Sequence, residues 1–259
     1  MLTDKIKFYG QWNTPVDEVL YRNYFSDKKD GFFVECGAGD GVICSCCLFF
    51  EQRGWKGINI EPSATDYKKL ITNRPNALNL QIGLGDYGHK ATFASTIEGP
   101  SGLGGFEWTP EQKQKRMEYG CVFQDVEVEI TTYRELIGGN VKKVDLFVLD
   151  VEGYELKVIK GMVGSKVLPD LICVEYGQIN LEDLKKMLLP MGYRFDFLSF
   201  NNAFFAMPSL PKKSIWFGKT MEMIDIKILK TSKAIAENDV SQEQWVQNFN
   251  LILKRRKKR

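Results

Sequence analysis

Residues 32–41 read FFVECGAGDG. An apolar, strand-like run takes in an acid, Glu35, and opens into glycines at Gly37, Gly39 and Gly41. Glycines allow tight turns and close approach of backbone to a ligand. A Walker loop needs GxxxxGK[ST], which is absent. A dinucleotide loop prefers GxGxxG, and here the third glycine comes one place early, with Val42 at the expected position. Glu35, toward the carboxyl end of the strand, would repel a pyrophosphate and attract an ammonium group. Glu61 ends the next strand, KGINIEP (56–62), where an acid can accept hydrogen bonds from ribose hydroxyls. The loop Gly37-Ala38-Gly39-x-Gly41, Glu35 and the Glu61–Pro62 pair therefore predict S-adenosylmethionine, which has a ribose, an α-amino group and no phosphate.

Outward from this loop the chain alternates. PVDEVLYRNY (15–24) reads as a helix after Pro15, ICSCCLFFEQRGW (43–55) as a helix ending at Gly54, and ATDYKKLITNRP (64–75) as a helix stopped by Pro75. ALNLQIGLGD (77–86) reads as a third strand. The resulting β-α-β-α-β order implies parallel strands with right-handed crossovers. Residues 94–124 interrupt it as an irregular insertion rich in glycine, with a short charged helix in TPEQKQKRMEYG. Strands return at DVEVEIT (125–131), VDLFVLD (144–150) and PDLICVEYG (169–177), with helices at YELKVIKGM and NLEDLKKMLLPMG. YRFDFLSF-NN-AFFAMP reads as a hairpin with Asn201 and Asn202 at its turn. The expected organisation is an N-terminal helical lead-in (1–24), a central domain (25–207), and a helical extension (208–259) ending in the basic run KRRKKR.

The chain of 259 residues suits one domain with an appendage. Its charge is uneven: 208–259 holds 12 basic against 5 acidic residues, and 1–207 holds 23 against 28. The opening MLTDKIKFYGQW lacks the apolar segment of a secretory signal, and no apolar run is long enough to span a bilayer. Six cysteines without paired CxxC spacing, beside a single histidine, give little support to a zinc site. They read as reduced structural thiols of a cytoplasmic protein.

GFFVECGAGDG, GWKGINIEP, KLITNRP, GLGDYGHKATF, SGL (101–103) and VDLFVLDVEGYELKVIKGM together resemble the FkbM-type methyltransferases, over roughly residues 8–207. That resemblance implies a Rossmann-like class I α/β fold: a seven-stranded, mostly parallel sheet with an antiparallel last strand and helices on both faces. It also implies O-methylation of a sugar, glycan or glycoconjugate, and it places the loop bearing Asp86 near the adenine. Cys46 and Cys47 depart from the Ser-Asn-Thr that is commoner in the family at 45–47.

Methyl transfer from a sulfonium is an in-line displacement, so the protein must align the acceptor and remove its proton. Such groups sit beyond the carboxyl ends of the strands. Asp150, Glu152 and Glu175 stand there and are the candidate catalytic acids; Asp150 and Glu175 are also candidate ligands for a divalent metal such as Mg. Glu152 reads equally as a cap on the helix that follows it. Asn201 and Asn202 are explained by the turn alone. His89 reads as a loop residue, and 101–103 with Trp108 as a lid over the substrate or a surface loop. The basic tail leaves nucleic-acid methylation open through 254–259, and a non-catalytic interaction module is the remaining alternative.

Overall fold

Strand β1 (Phe32–Cys36) lies inside a seven-stranded sheet, hydrogen-bonded on both sides. The structure is a computed structural model that describes residues 6–99, 102–139, 141–211 and 216. The chain divides into two units, Met1–Ile215 and Trp216–Arg259. The helices expected over 220–253 and the run 254–259 lie outside the described residues.

In chain order the elements are α1 (Val16–Leu20), which runs into a π turn (Tyr21–Phe25), then β1, α2 (Leu48–Glu51), β2 (Lys56–Ile60), α3 (Ala64–Asn73), β3 (Leu78–Leu80) and β4 (Gly83–Gly85). There follow β5 (His89–Glu98), β6 (Gly105–Phe106), α4 (Pro110–Met117), β7 (Val122–Thr132), α5 (Tyr133–Ile137), β8 (Leu146–Leu149) and α6 (Glu155–Lys160). The last are β9 (Leu171–Glu175), α7 (Leu181–Leu188), β10 (Arg194–Ser199) and β11 (Asn202–Ala206). The large sheet has the order β10-β11-β9-β8-β1-β2-β3. Strands β1, β2, β3, β8 and β9 are parallel, and β11 is antiparallel to both neighbours. This is the α/β architecture predicted from the sequence.

Period-2 alternation divides the side chains of the sheet. Val34, Cys36, Ile60, Phe147, Leu149, Ile172, Val174 and Phe205 join one apolar core with Val158 and Ile159 of α6 and Leu184 and Leu188 of α7. Phe33, with Glu35, projects to the opposite face, where Phe25, Phe50 and Trp55 pack edge to face or tilted. Gly57 is obligatory there, since a Cβ would lie 2.4 Å from the Phe33 ring.

Several local readings are corrected. The helix expected from 43 begins only at Leu48. Cys44 takes a left-handed conformation (φ 62°), and Ser45 Oγ with the Glu35 carboxylate accepts the amides of Cys46, Cys47 and Leu48. The single third strand is two: β3 joins the large sheet, and β4 joins a second sheet of order β4-β7-β5-β6. The segment 94–124 is not irregular: the end of β5, β6, α4 and the start of β7 occupy it, with β5 and β7 paired antiparallel from His89↔Ile130 to Glu98↔Val122. Pairing across so many intervening residues leaves little local signal. His89 opens β5 rather than a loop. The hairpin turns at Phe200–Asn201; Asn202 is already in β11, opposite Glu175, where its buried amide oxygen accepts the Cys173 thiol.

Candidate active site

The loop after β1 is anchored to its neighbours before any ligand is considered. Gly37 N–H and Ala38 N–H both donate to the Ile60 carbonyl at 3.0 and 3.1 Å. Asp150 N–H donates to the Cys36 carbonyl at 3.0 Å, bringing the end of β8 against the same loop. Gly37 has φ +87°, and a Cβ there would lie 1.7 Å from the Asp150 carbonyl oxygen. Only glycine fits.

Glu61, buried at the end of β2, clamps the loop from the other side. One carboxylate oxygen accepts Gly39 N–H and the other accepts Ser63 N–H, each at 2.8 Å. Burial pushes its pKa up to about 7, against those two amides. Each oxygen keeps a lone pair for a ligand hydroxyl. A Cβ at Gly39 would meet nothing within 4 Å, so the backbone there is open to an incoming group.

A cleft of about 1010 Å³, its open mouth included, runs past these residues between the two sheets. Ala38, Glu61 and Pro62 line it on one side, Leu84, Phe93 and Phe106 on another, and Asp150 and Glu152 at the end of β8. Among its described lining residues are five acids, Asp40, Glu61, Asp66, Asp150 and Glu152, and no lysine, arginine or histidine.

Two expected cofactor residues face elsewhere. Glu35 turns to the α2 face, where its carboxylate accepts from Ser45 Oγ, Cys46 N–H and Cys47 N–H and pairs with the fully buried Arg74 at 3.1 Å. Strand alternation, one residue before the end of β1, sends it away from the cleft. Gly41 also serves packing, because a Cβ would strike Arg74 and Leu70 at 2.6 and 2.7 Å. Asp86 is likewise not among the cleft's lining residues. It bonds Lys160 of α6 at 2.8 Å, which holds its pKa below the usual carboxylate value.

The loop after β8 gathers acids. Glu155, fully buried in the first turn of α6, accepts Val151 N–H and Gly153 N–H at 3.0 and 3.2 Å. It performs the capping expected of Glu152, and its second oxygen has no hydrogen-bond partner. Glu152 instead sits at φ 57° and binds Arg116 of α4 at 2.6 Å and Gln178, while its carbonyl accepts the Trp108 indole N–H at 3.1 Å. Trp108 thus ties the segment before α4 to the DVEG loop, and the Arg116 guanidinium lies 4.0 Å over its ring.

Asp150, Glu155 and Glu175 bring carboxylate oxygens within 4.8 Å of one another. Burial, then Glu175, Glu152 and the other nearby acids, hold Asp150 well above the usual carboxylate range. Burial and the same neighbouring acids push Glu175 up to about 7, against hydrogen bonds from Gly177 and Asn201. Sequence reading missed Glu155; its signal was an acid at the start of a helix two residues beyond Gly153.

A family model for the methyltransferase FkbM domain matches residues 35–195. The chain belongs to the FkbM methyltransferase family. It is an S-adenosylmethionine-dependent methyltransferase, and the cleft suits that cofactor: Gly39 leaves the backbone open, Glu61 offers two acceptors, and the described lining holds no basic side chain for a phosphate. Solved structures similar to this FkbM chain include a putative methyltransferase, yhhF, from Escherichia coli, 14% identical, covering 76% of this chain and 88% of that one at TM-score 0.40. Another is a TehB-like SAM-dependent methyltransferase from Corynebacterium glutamicum, 9% identical, covering 78% and 89% at TM-score 0.39. A fibrillarin/Nop5p complex is 15% identical, covering 70% and 73% at TM-score 0.39. No curated protein sequence matches the chain. Among the described residues no helix is long and apolar enough to cross a membrane.

Proposed function

We propose that this FkbM methyltransferase O-methylates a hydroxyl of a sugar, free or within a glycan or glycoconjugate. The observation that carries the reading is the cleft lining, which holds five acids and, among its described residues, no basic side chain, and which reaches Asp150 beside Glu175. A nucleic acid brings a phosphate at every residue and would find no basic side chain among the described lining residues to pair with. A neutral hydroxyl needs none. The 12 basic residues of 208–259 favour the nucleic-acid reading by charge alone, and the acidic cleft opposes it.

Glu61, Ala38, Gly39 and Pro62 would hold the cofactor's ribose and amino-acid portions, with the apolar wall around Phe93 and Leu84 left for its base. When bound, the cofactor supplies a methyl group on a cationic sulfur, which departs as a neutral thioether. Asp150 accepts the acceptor's hydroxyl proton as that oxygen bonds to the methyl carbon. Glu175 raises the affinity of Asp150 for that proton through like-charge repulsion. The all-oxygen donor set of Asp150, Glu155 and Glu175 would equally hold a hard divalent cation such as Mg, which would orient the acceptor instead.

The test is methyl transfer from labelled cofactor to a panel of glycans, with RNA in parallel. Sugar-borne label is expected, and label on RNA alone would overturn the reading. Asp150→Asn should lower turnover about 10²–10⁴-fold with cofactor affinity unchanged. Inhibition of the wild type by chelator, restored by Mg, would assign the acids to metal; chelator insensitivity would assign Asp150 to proton removal.

A further inference from the structure

Trp12 (φ 79°) and Phe200 (φ 51°), bulky residues nearly two hundred positions apart, both hold a left-handed backbone. Large side chains rarely adopt it, and where they do the surrounding structure imposes it. Their rings stack with centroids 5.0 Å apart and planes at 9°. Aromatic pairs of this kind normally belong to cores, yet Trp12 is 44% and Phe200 37% exposed.

Neither ring lines the cleft, but the neighbours of both set the stack beside one end of it. Buried Asp17 accepts the amides of Tyr9 and Gly10 at 2.7 and 3.0 Å, fixing the segment that leads to Trp12. Gly10 pairs with Cys44, and Gln11, Ile43 and Cys44 line the cleft. Ile43 is also exposed, which extends the apolar surface at the mouth. On the other side the Phe200 carbonyl accepts the Tyr176 hydroxyl at 3.4 Å, and the Asn201 carbonyl accepts Tyr176 N–H at 2.7 Å. Asn201 also bonds Glu175 through its side chain. The stack therefore flanks the Asp150–Glu175 end of the cleft.

We infer that the Trp12–Phe200 stack is the acceptor platform of this enzyme, taking the C–H face of a neutral sugar ring while a hydroxyl of that ring reaches Asp150. The inference rests on the proposed O-methylation of sugars and deepens it by naming the surface that selects the acceptor. Ring faces suit this role because a pyranose presents apolar C–H edges beside its hydroxyls, and an aromatic face accepts them without a charge. An anionic acceptor on the same platform would face the acids.

The test uses the full chain and the sugar acceptor that the wild type methylates. Trp12→Leu and Phe200→Leu, made separately, should each raise the acceptor KM about tenfold, the effect of losing one good aromatic contact. The affinity for S-adenosylhomocysteine should stay at the wild-type value, which also reports that each variant is folded. Trp12→Phe should restore most of the acceptor KM. Wild-type acceptor KM in both leucine variants, with cofactor affinity intact, would overturn the platform and leave sugar methylation standing. A wild type that methylates no sugar on the panel would overturn the function and the platform together.

Discussion

The two ends of the cleft are built on opposite terms. At the β1–β2 end, Glu61 accepts two amides, Gly37 and Ala38 share the Ile60 carbonyl, and Asp40 accepts the amides of Val42 and Ile43 at 2.9 and 2.8 Å. At the β8–β9 end, three carboxylates crowd within 4.8 Å, one Glu155 oxygen has no partner, and Glu152 and Phe200 hold left-handed backbone. The first end is a preformed cradle. The second stores unfavourable electrostatics that a proton, a cation or an acceptor relieves. Placing a ligand needs rigidity, whereas moving a proton near neutral pH needs carboxylates away from their ordinary pKa.

The contrast breaks most easily at Gly37. Gly37→Val sets side-chain carbon against the Asp150 carbonyl, 1.7 Å from the position of a Cβ. Calorimetry should show no binding of S-adenosylhomocysteine, and the melting temperature should fall; normal binding would mean that the two strand ends are not held as described.

Glu35 and Glu61 sharpen it next. Glu35→Gln removes one of the two anions paired with buried Arg74 and leaves Glu51 at 2.5 Å, so it should cost roughly 1.5–3 kcal/mol of stability by denaturant titration, the range for a hydrogen bond to a charged group. The folded fraction should still bind S-adenosylhomocysteine normally. Glu61→Gln should do the reverse, weakening that affinity about tenfold with a smaller change in stability. Weakened binding in the Glu35 variant would return that residue to the cofactor site.

At the other end the expected effect is a displaced pH profile. A base with a raised pKa is protonated and idle at low pH, so the rate should rise with pH on a limb above the ordinary carboxylate range, and the neighbouring Glu175 loses its own proton at about 7. Glu175→Gln removes a like charge from beside Asp150, lowers its pKa, and should move the rising limb to lower pH. A limb that stays in place would separate Glu175 from proton transfer. The smallest effect is expected from deleting 254–259, which should leave turnover on a small sugar unchanged, since the described cleft residues all precede 208. A large loss in a folded truncation would point to a substrate held by the basic run.

How far the sequence was legible differs by element. β1 and β8 were plain because apolar runs bounded by glycine or acid leave few alternatives. The pairing of β5 with β7 was hidden, although 125–131 read as a strand, because the glycine-rich connection between them resembles a loop and the partners lie far apart along the chain. Glu61 was legible because it is the first residue past β2, where a side chain reaches the strand-end crevice whatever else surrounds it. Glu35 was misread by one step of strand alternation, and the buried arginine that answers it arrives from residue 74.

The alternation of strands and helices outside 94–124, the family and the kind of cofactor were determined along the chain, because hydrophobic periodicity, glycine spacing and strand-end acids are properties of neighbouring residues. Tertiary structure decided which acids face the cleft, that Glu155 joins Asp150 and Glu175, and that Trp12 meets Phe200. The reason is physical. A charge or an aromatic ring takes its role from what lies within a few ångströms of it, and those partners come from elements that only packing brings together.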